Sequence, residues 1–432
     1  MEPERDYGDR RSGLKMGWRA WRDRRRHSRR HRILIIVENC SVPRDRRVWK
    51  ECRSLVQAGF EVSVIAPREP GQPRREVVDG IDLLRYRPTR ERRAKLGFLI
   101  EFANAWLWTA ALSAYVFVRE GFAAIQTCNP PDIFFPLALP YKALGCSIVF
   151  DQHDLSPELY VARYGQSDGL IFRGLLTMER LTYRVADHVI AVSEPWATTA
   201  MARGGKPAEA VTIVSNGPRL ADSVPRERRA DLREGKPHLC CWVGAMGAVD
   251  DGVDLAIRAI GHLVRDLGRV DCHFAFLGDG EAFDEVTTLT RELGLSEWVT
   301  FTGWADPPVV QEYLSAADIG LQPDPKNPRT DTAIAVKTLE YMAFRLPVVA
   351  FDLDQTRRTV GAAGVYAEPN DPRSFARAID ELLADPARRE AMGEAGRRLI
   401  EEGLSWDHQA SKYVDVLRRL LDAHARSGEP AR

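Results

Sequence analysis

Short apolar runs rich in β-branched residues recur from residue 32 onward, each followed by a stretch whose apolar positions return every three to four residues. The runs at 32–37, 61–66, 123–127, 147–150, 188–192 and 211–214 form one series. Those at 238–243, 272–277, 299–302, 319–321, 347–351 and 364–366 form a second. Near-continuous apolar runs of this length read as strands buried on both faces. The stretches between them, such as 46–58 and 253–267, read as amphipathic helices. Strand and helix in alternation predict parallel sheets covered on both sides. The expected fold class is therefore α/β, with two doubly wound, Rossmann-like domains facing across a cleft. Residues 33–216 supply the first domain and 238–400 the second. The linker is 217–237, where Pro218, Pro225, Gly235 and Pro237 stand among many charges. Residues 401–425 read as a C-terminal helix that packs back toward the first domain.

Two segments depart from the pattern. Residues 1–32 hold 12 Lys/Arg against 5 acids and almost no aliphatic residues, so they cannot build a core. No apolar signal-peptide region follows before Arg32, so the segment does not read as a secretory signal, and the expected location is the cytoplasm. The tail reads as solvated charge or as a segment drawn to an anionic membrane surface, with Trp18 and Trp21 as shallow anchors. No recognised binding module accompanies it, so nucleic acid is not an expected partner. Residues 102–118 form an uncharged run of 17 containing Trp106, Trp108 and Tyr115. That is short for a bilayer span and reads as a buried or interfacial helix. Arg92, Arg93 and Lys95 just before it would suit an anionic lipid face on the inner side of the membrane.

Composition adds exclusions. The 432 residues are 44% apolar and 28% charged, an ordinary globular mix that rules out a disordered chain, a fibre or a disulfide scaffold. The net charge of zero hides a surplus of +7 in residues 1–32, so the remaining 400 carry −7. Seven cysteines without a C-x-x-C pair read as reduced thiols, and no Cys/His spacing supports a metal site.

In open α/β sheets ligands gather beyond the carboxyl ends of strands. Those positions hold Glu38-Asn39, Asn129 to Asp132, Asp151 to Asp154, Ser193-Glu194 and Asn216-Gly217 in the first domain. In the second they hold Gly244 to Gly247, Gly278 to Gly280, Gly303-Trp304, Pro323-Asp324 and Asp352. Glycine lets backbone N–H groups approach a phosphate, so the set points to a phosphorylated ligand between the domains. Neither G-x-G-x-x-G nor a Walker loop is present, which disfavours nicotinamide dinucleotides and P-loop chemistry. Lys337 and Glu340, three apart, share one face of a short helix. They read either as a surface ion pair worth about 0.2–0.5 kcal/mol or as a pair of ligand contacts. In the second case the lysine meets a pyrophosphate at the helix start and the glutamate meets a ribose diol.

The stretch Lys337-Thr338-Leu339-Glu340-Tyr341-Met342-Ala343, followed by Pro347-Val348-Val349-Ala350, resembles the donor-binding segment of family 4 glycosyltransferases with the GT-B fold. The resemblance runs through 33–420. It includes Val42 to Trp49, Asp151-Gln152-His153-Asp154-Leu155, Asn216-Gly217-Pro218 and Ala317-Asp318-Ile319-Gly320-Leu321-Gln322-Pro323. It implies transfer of a sugar from a nucleotide diphosphate donor to a glycan or lipid-linked acceptor. The transfer would proceed with retention and without a metal or resident cofactor, in polysaccharide or glycolipid synthesis. Carried over by motif, Glu340 holds the ribose, Lys337 the pyrophosphate, and the Gly244–Gly247 backbone, Met246 included, faces the phosphates, with Asp279 as a further donor-binding candidate. Trp304 lies near the base of a UDP- or GDP-linked sugar, and His153 and Asp154 are the catalytic candidates.

Two departures stand out. The family's usual first glutamate falls at Thr332, beside Asp331, which becomes its expected substitute. The Arg and Lys usual after the first strand of the second domain are replaced by Ala245 to Gly252, so Arg329 is expected to assist Lys337. The alternatives are another GT-B enzyme, such as a sugar-nucleotide epimerase, and a catalytically silent scaffold in a membrane synthesis complex.

Overall fold

The structure, a computed structural model, describes residues 31–89, 95–247 and 249–427. Residues 1–30 of the basic tail, with Trp18 and Trp21, and Arg92 and Arg93 lie outside the described residues. So does the side chain of Lys95. The tail's last residue, Arg32, begins the first strand and pairs with Glu61 at 2.6 Å and Glu120 at 3.1 Å.

The first sheet contains β1 (Arg32–Ile36), β2 (Glu61–Pro67), β3 (Arg75–Val78), β4 (Ile81–Tyr86), β5 (Ala124–Cys128), β6 (Ser147–Gln152), β7 (His188–Ala191) and β8 (Val211–Ile213). Its order is β3-β4-β2-β1-β5-β6-β7-β8. The second sheet contains β9 (His238–Val243), β10 (Cys272–Leu277), β11 (Val299–Gly303), β12 (Ile319–Gln322), β13 (Val348–Phe351) and β14 (Gly364–Ala367), in the order β11-β10-β9-β12-β13-β14. Every pairing is parallel except β3 with β4. These two strands are missing from the twelve expected, because Arg75, Glu76, Asp82 and Arg85 break the apolar pattern. Asp79 and Gly80 between them have φ of 50° and 80°, the left-handed backbone of a tight hairpin turn.

In both sheets the chain builds outward on one side of the first strand and then crosses to the other. The crossing falls between β1 and β5 in the first sheet and between β9 and β12 in the second. Such switch points open a crevice at the carboxyl ends of the strands.

The segment after β8 docks on the second lobe. Arg226 N donates to Ser315 Oγ at 2.9 Å, and Arg233 pairs with Asp318 at 2.9 Å. The helix Trp406–Ser427 returns to the first lobe, where Trp406, Tyr413 and Leu417 share a core with Ile33, Leu55 and Val62. At the crossing, Trp406 N donates to Pro218 O at 2.8 Å. A Cβ on Gly217 would lie 1.7 Å from Leu404 O, so only glycine permits the two crossing strands to touch.

The helix Lys95–Arg119 covers the other face of the first sheet with an inverted polarity. Ala105, Thr109, Ser113 and Val116 are buried, while Leu107, Trp108, Tyr115 and Val118 face outward at 64%, 47%, 39% and 63% exposure. Among the described residues no helix is long and apolar enough to cross a membrane.

Candidate active site

The helix Val336–Ala343 sits at the switch point of the second sheet. Tyr341 anchors it there. Its hydroxyl accepts from Val243 N at 2.9 Å and donates to Leu321 O at 3.1 Å, joining the ends of β9 and β12. With Leu339, Tyr341 and Met342 committed to the core, Lys337 and Glu340 are left to line the cleft. They do not pair with each other. Lys337 Nζ lies 2.8 Å from Asp251 Oδ1 and 2.7 Å from Asp324 Oδ1, and 5.0 Å above the Trp242 ring. Burial opposes its charge, but Asp324 and Asp251 overcome that effect and hold its pKa above the usual lysine range. Burial raises the Glu340 carboxyl, offset in part by Arg46 and Lys50 of the first lobe. Arg46 reaches across to it at 3.3 Å. Gly278 is another position only glycine can fill, since a Cβ there would lie 1.8 Å from Gly244 O.

The first lobe contributes a buried charge network. Arg47 Nη2 pairs with Asp151 Oδ1 at 2.8 Å, its Nε with Glu51 at 3.0 Å, and its Nη1 donates to Val214 O at 3.0 Å. Burial would raise the Asp151 carboxyl, yet Arg47 and His153 hold it well below the usual carboxylate range. The other Asp151 oxygen lies 2.5 Å from His153 Nε2, which leaves Nδ1 as the ring nitrogen open to a ligand. Asn129 Oδ1 accepts from the backbone N–H of His153 (2.7 Å) and of Asp154 (3.2 Å), pinning the turn after β6. Cys128, Asp151 and His153 could offer ligand atoms within 4.8 Å of one another. The Arg47 guanidinium on the same carboxylate, and a thiol pushed far up by burial, make that trio a poor cation site.

Between the lobes lies a cavity of about 490 Å³ that brings together His153, Gly244, Trp304, Arg329, Lys337 and Glu340. Gly247 lines an adjoining recess with Lys337 and Arg329. Asp154 and Arg329 meet as a bidentate pair at 2.9 and 3.0 Å, and Arg329 also pairs with Asp250 at 2.9 Å. Three expected residues are placed otherwise. The Met246 side chain is fully buried in the second lobe's core, and its backbone N–H, the group expected at the phosphates, donates to Asp279 O at 3.1 Å. Asp279 is turned toward its own loop, accepting from Gly280 N at 2.8 Å. The Asp331 carboxylate accepts from Asp354 N at 2.9 Å and pairs with Lys326 at 3.2 Å, and it does not line the cleft. Thr332, the position of the family's first glutamate, contacts the first lobe through Trp196 Nε1 at 3.3 Å. Asp251, Arg46 and Arg47 line the cleft without having been expected there.

The family of glycosyl transferases group 1 matches residues 237–385, and the glycosyl transferase 4-like domain matches residues 45–217. Together these cover most of the chain and both lobes. The chain is a family 4 glycosyltransferase with the GT-B fold. The glycosyltransferase is 26% identical over 389 residues to a 2-deoxystreptamine glucosyltransferase of Streptomyces kanamyceticus, covering 87% of this chain and 98% of that protein. It is 28% identical over 345 residues to a GDP-mannose-dependent phosphatidylinositol monomannoside mannosyltransferase of Mycolicibacterium smegmatis, covering 71% of this chain and 86% of that one. Among solved structures, sucrose-phosphate synthase from Thermosynechococcus elongatus superposes with a TM-score of 0.75 at 19% identity, over 91% of this chain and 100% of the other. The Anabaena protein HepE, solved with UDP-glucose, gives a TM-score of 0.69 at 16% identity, over 90% and 100%.

Proposed function

We propose that this glycosyltransferase takes its sugar from a nucleotide diphosphate donor, UDP- or GDP-linked, bound on the second lobe. The acceptor is a glycan or lipid-linked sugar bound on the first. The observation that carries this reading is the Lys337–Glu340 pair, aimed at the cleft by a helix locked to the switch point through Tyr341. Glu340 takes the ribose diol. The diphosphate meets Lys337, Arg329 and the glycine-rich turns that carry Gly244, Gly247 and Gly278. Because Asp251 and Asp324 already answer the Lys337 charge, the incoming diphosphate competes with Asp251 for the ammonium.

In the transfer step an acceptor hydroxyl oxygen bonds to the anomeric carbon while the bond from that carbon to the diphosphate breaks. The diphosphate leaves with the electron pair, and the hydroxyl proton is lost to a base. Retention places the acceptor on the face the diphosphate vacates. His153, tied to Asp151 through Nε2, is set to stabilise the charge that develops at the sugar. The sugar transfer needs no resident cofactor or metal. Closure of the lobes excludes water, so that transfer outruns hydrolysis.

The outward apolar face of helix Lys95–Arg119 fits a peripheral position on the inner face of the cell membrane, with the basic tail adding charge attraction. A thermal-shift screen over UDP- and GDP-sugars tests the donor assignment. One of them should raise the melting temperature and release free nucleotide diphosphate only when acceptor is added. No stabilisation by any of them overturns it.

A further inference from the structure

Arginine and lysine side chains line the cleft from both lobes: Arg46 and Arg47 from the first, Arg329 and Lys337 from the second. Three of them are each answered by two carboxylates. Arg47 holds Asp151 and Glu51, Arg329 holds Asp154 and Asp250, and Lys337 holds Asp251 and Asp324. Arg46 differs. Among the described residues it makes a single ion pair, from Nη1 to Glu340 Oε1 at 3.3 Å, and its side chain is 51% exposed. Asp45, which lines the cleft beside it, stays with its own helix Arg46–Gln57, accepting from Arg47 N and Val48 N at 3.0 Å each.

The partner of Arg46 is the carboxylate that takes the ribose diol in the reading above. A vicinal diol donates to both carboxylate oxygens, Oε1 included, and so competes with the guanidinium for Glu340. A half-exposed ion pair held by one nitrogen is readily exchanged. Lys50, one turn along the same helix, also acts on Glu340, but its ammonium is committed to Asn216 Oδ1 at 2.6 Å and Gly217 O at 2.7 Å. Its charge stays near the carboxylate when Arg46 leaves.

The displaced guanidinium has a destination close by. Glu340 and Lys337 stand three residues apart on one helix, a spacing that sets their Cβ atoms about 5–6 Å apart. A move of one helical turn toward the helix start therefore carries Arg46 from the ribose site to the diphosphate at Lys337. The diphosphate has need of it there. Arg329 and Lys337 already answer four carboxylates, and the turn from Ala245 to Gly252 contains no Arg or Lys. A guanidinium also matches phosphate oxygens in paired geometry.

We propose that Arg46 is a diphosphate ligand held in reserve on Glu340, and that the arriving ribose displaces it onto the diphosphate. The first lobe then supplies a cation to the leaving group only after the nucleoside has been recognised on the second. Recognition of the ribose and gripping of the diphosphate across the cleft become one event. The inference rests on the donor reading above and adds a first-lobe residue to it.

Competition calorimetry on the full-length protein tests it, with UDP and GDP as the diphosphates and uridine and guanosine as nucleosides bearing the same ribose. The parent should bind one of the diphosphates. In Arg46→Gln the matching nucleoside should bind several-fold more tightly, because Glu340 is uncovered. The diphosphate should bind about tenfold more weakly, because a hydrogen bond between charged groups is lost. Arg46→Lys, which keeps the charge without the paired geometry, should recover part of that loss. A residue that merely holds the lobes together would move both ligands the same way. Both weaker, both tighter or neither changed therefore overturns the inference and leaves the donor reading standing. A parent protein that binds neither diphosphate overturns the donor reading, and this inference with it.

Discussion

Removing the Lys337 side chain would leave Asp251 and Asp324 facing one another, with Asp324 only 7% exposed. Taking one partner from a buried ion pair costs about 3–5 kcal/mol. Lys337→Ala is therefore expected to lose both donor turnover and a large part of its stability in urea. Adding Asp324→Asn should restore much of the stability and none of the turnover. Glu38 offers a pH test. Its folded value of about 7 lies above its ordinary value, so between the two the folded protein holds an extra proton and stability falls as pH rises. Glu38→Gln lacks that loss. Its melting temperature relative to the parent should climb between about pH 5 and about pH 7.5; a constant difference would show that Glu38 titrates normally. At this scale the sequence is informative where spacing is local, as in Lys337 and Glu340 on one helix face. It is uninformative about partners: Asp251 and Asp324 stand 86 and 13 residues from the lysine they hold. Side-chain direction is equally hidden. Met246 and Asp331 stand next to residues that face the cleft or its adjoining recess, yet point elsewhere.

The twelve parallel strands expected from apolar runs are all present, because strands buried on both faces leave a continuous apolar signature. The β3–β4 hairpin is not among the expected elements, since an edge strand half in solvent carries charges that mask its alternation. Helix Lys95–Arg119 shows the opposite case, where composition reads clearly but orientation does not. Its small polar residues Thr109 and Ser113 turn inward beside Trp106, Leu112 and Phe117, while Leu107, Trp108, Tyr115 and Val118 turn out. If that face meets lipid, the double substitution Leu107→Asp, Trp108→Asp should cut co-sedimentation with anionic vesicles while donor turnover in solution persists. Unchanged sedimentation would remove the helix from membrane contact.

Across the whole molecule, charges close the cleft. Arg329–Asp154, Arg46–Glu340 and Arg163–Glu281 each join one lobe to the other at 2.9–3.3 Å. The last of these is largely exposed, so salt screens it readily. Arg329→Gln removes the most buried of the three bridges. It should enlarge the radius of gyration measured by small-angle scattering, and a bound nucleotide sugar should shrink it again. An unchanged radius would mean that packing, not charge, sets the closure.

The C-terminal helix carries a practical consequence for dissecting this enzyme. The polypeptide crosses between the lobes twice, at 214–218 and at 403–406, and the second crossing returns Trp406, Tyr413 and Leu417 to the core begun by Ile33. Tyr413 also donates to Gln126 Oε1 at 2.7 Å, inside the network around Asp151. The first lobe is thus built from both ends of the chain, and the second is the unbroken segment between the two crossings. Cutting the chain after residue 217 would yield a front fragment with a missing wall and a back fragment trailing an orphaned amphipathic helix. An isolated first lobe would have to be stitched from residues 31–217 and 404–427, and exchanging the second lobe between relatives would require swapping an internal cassette.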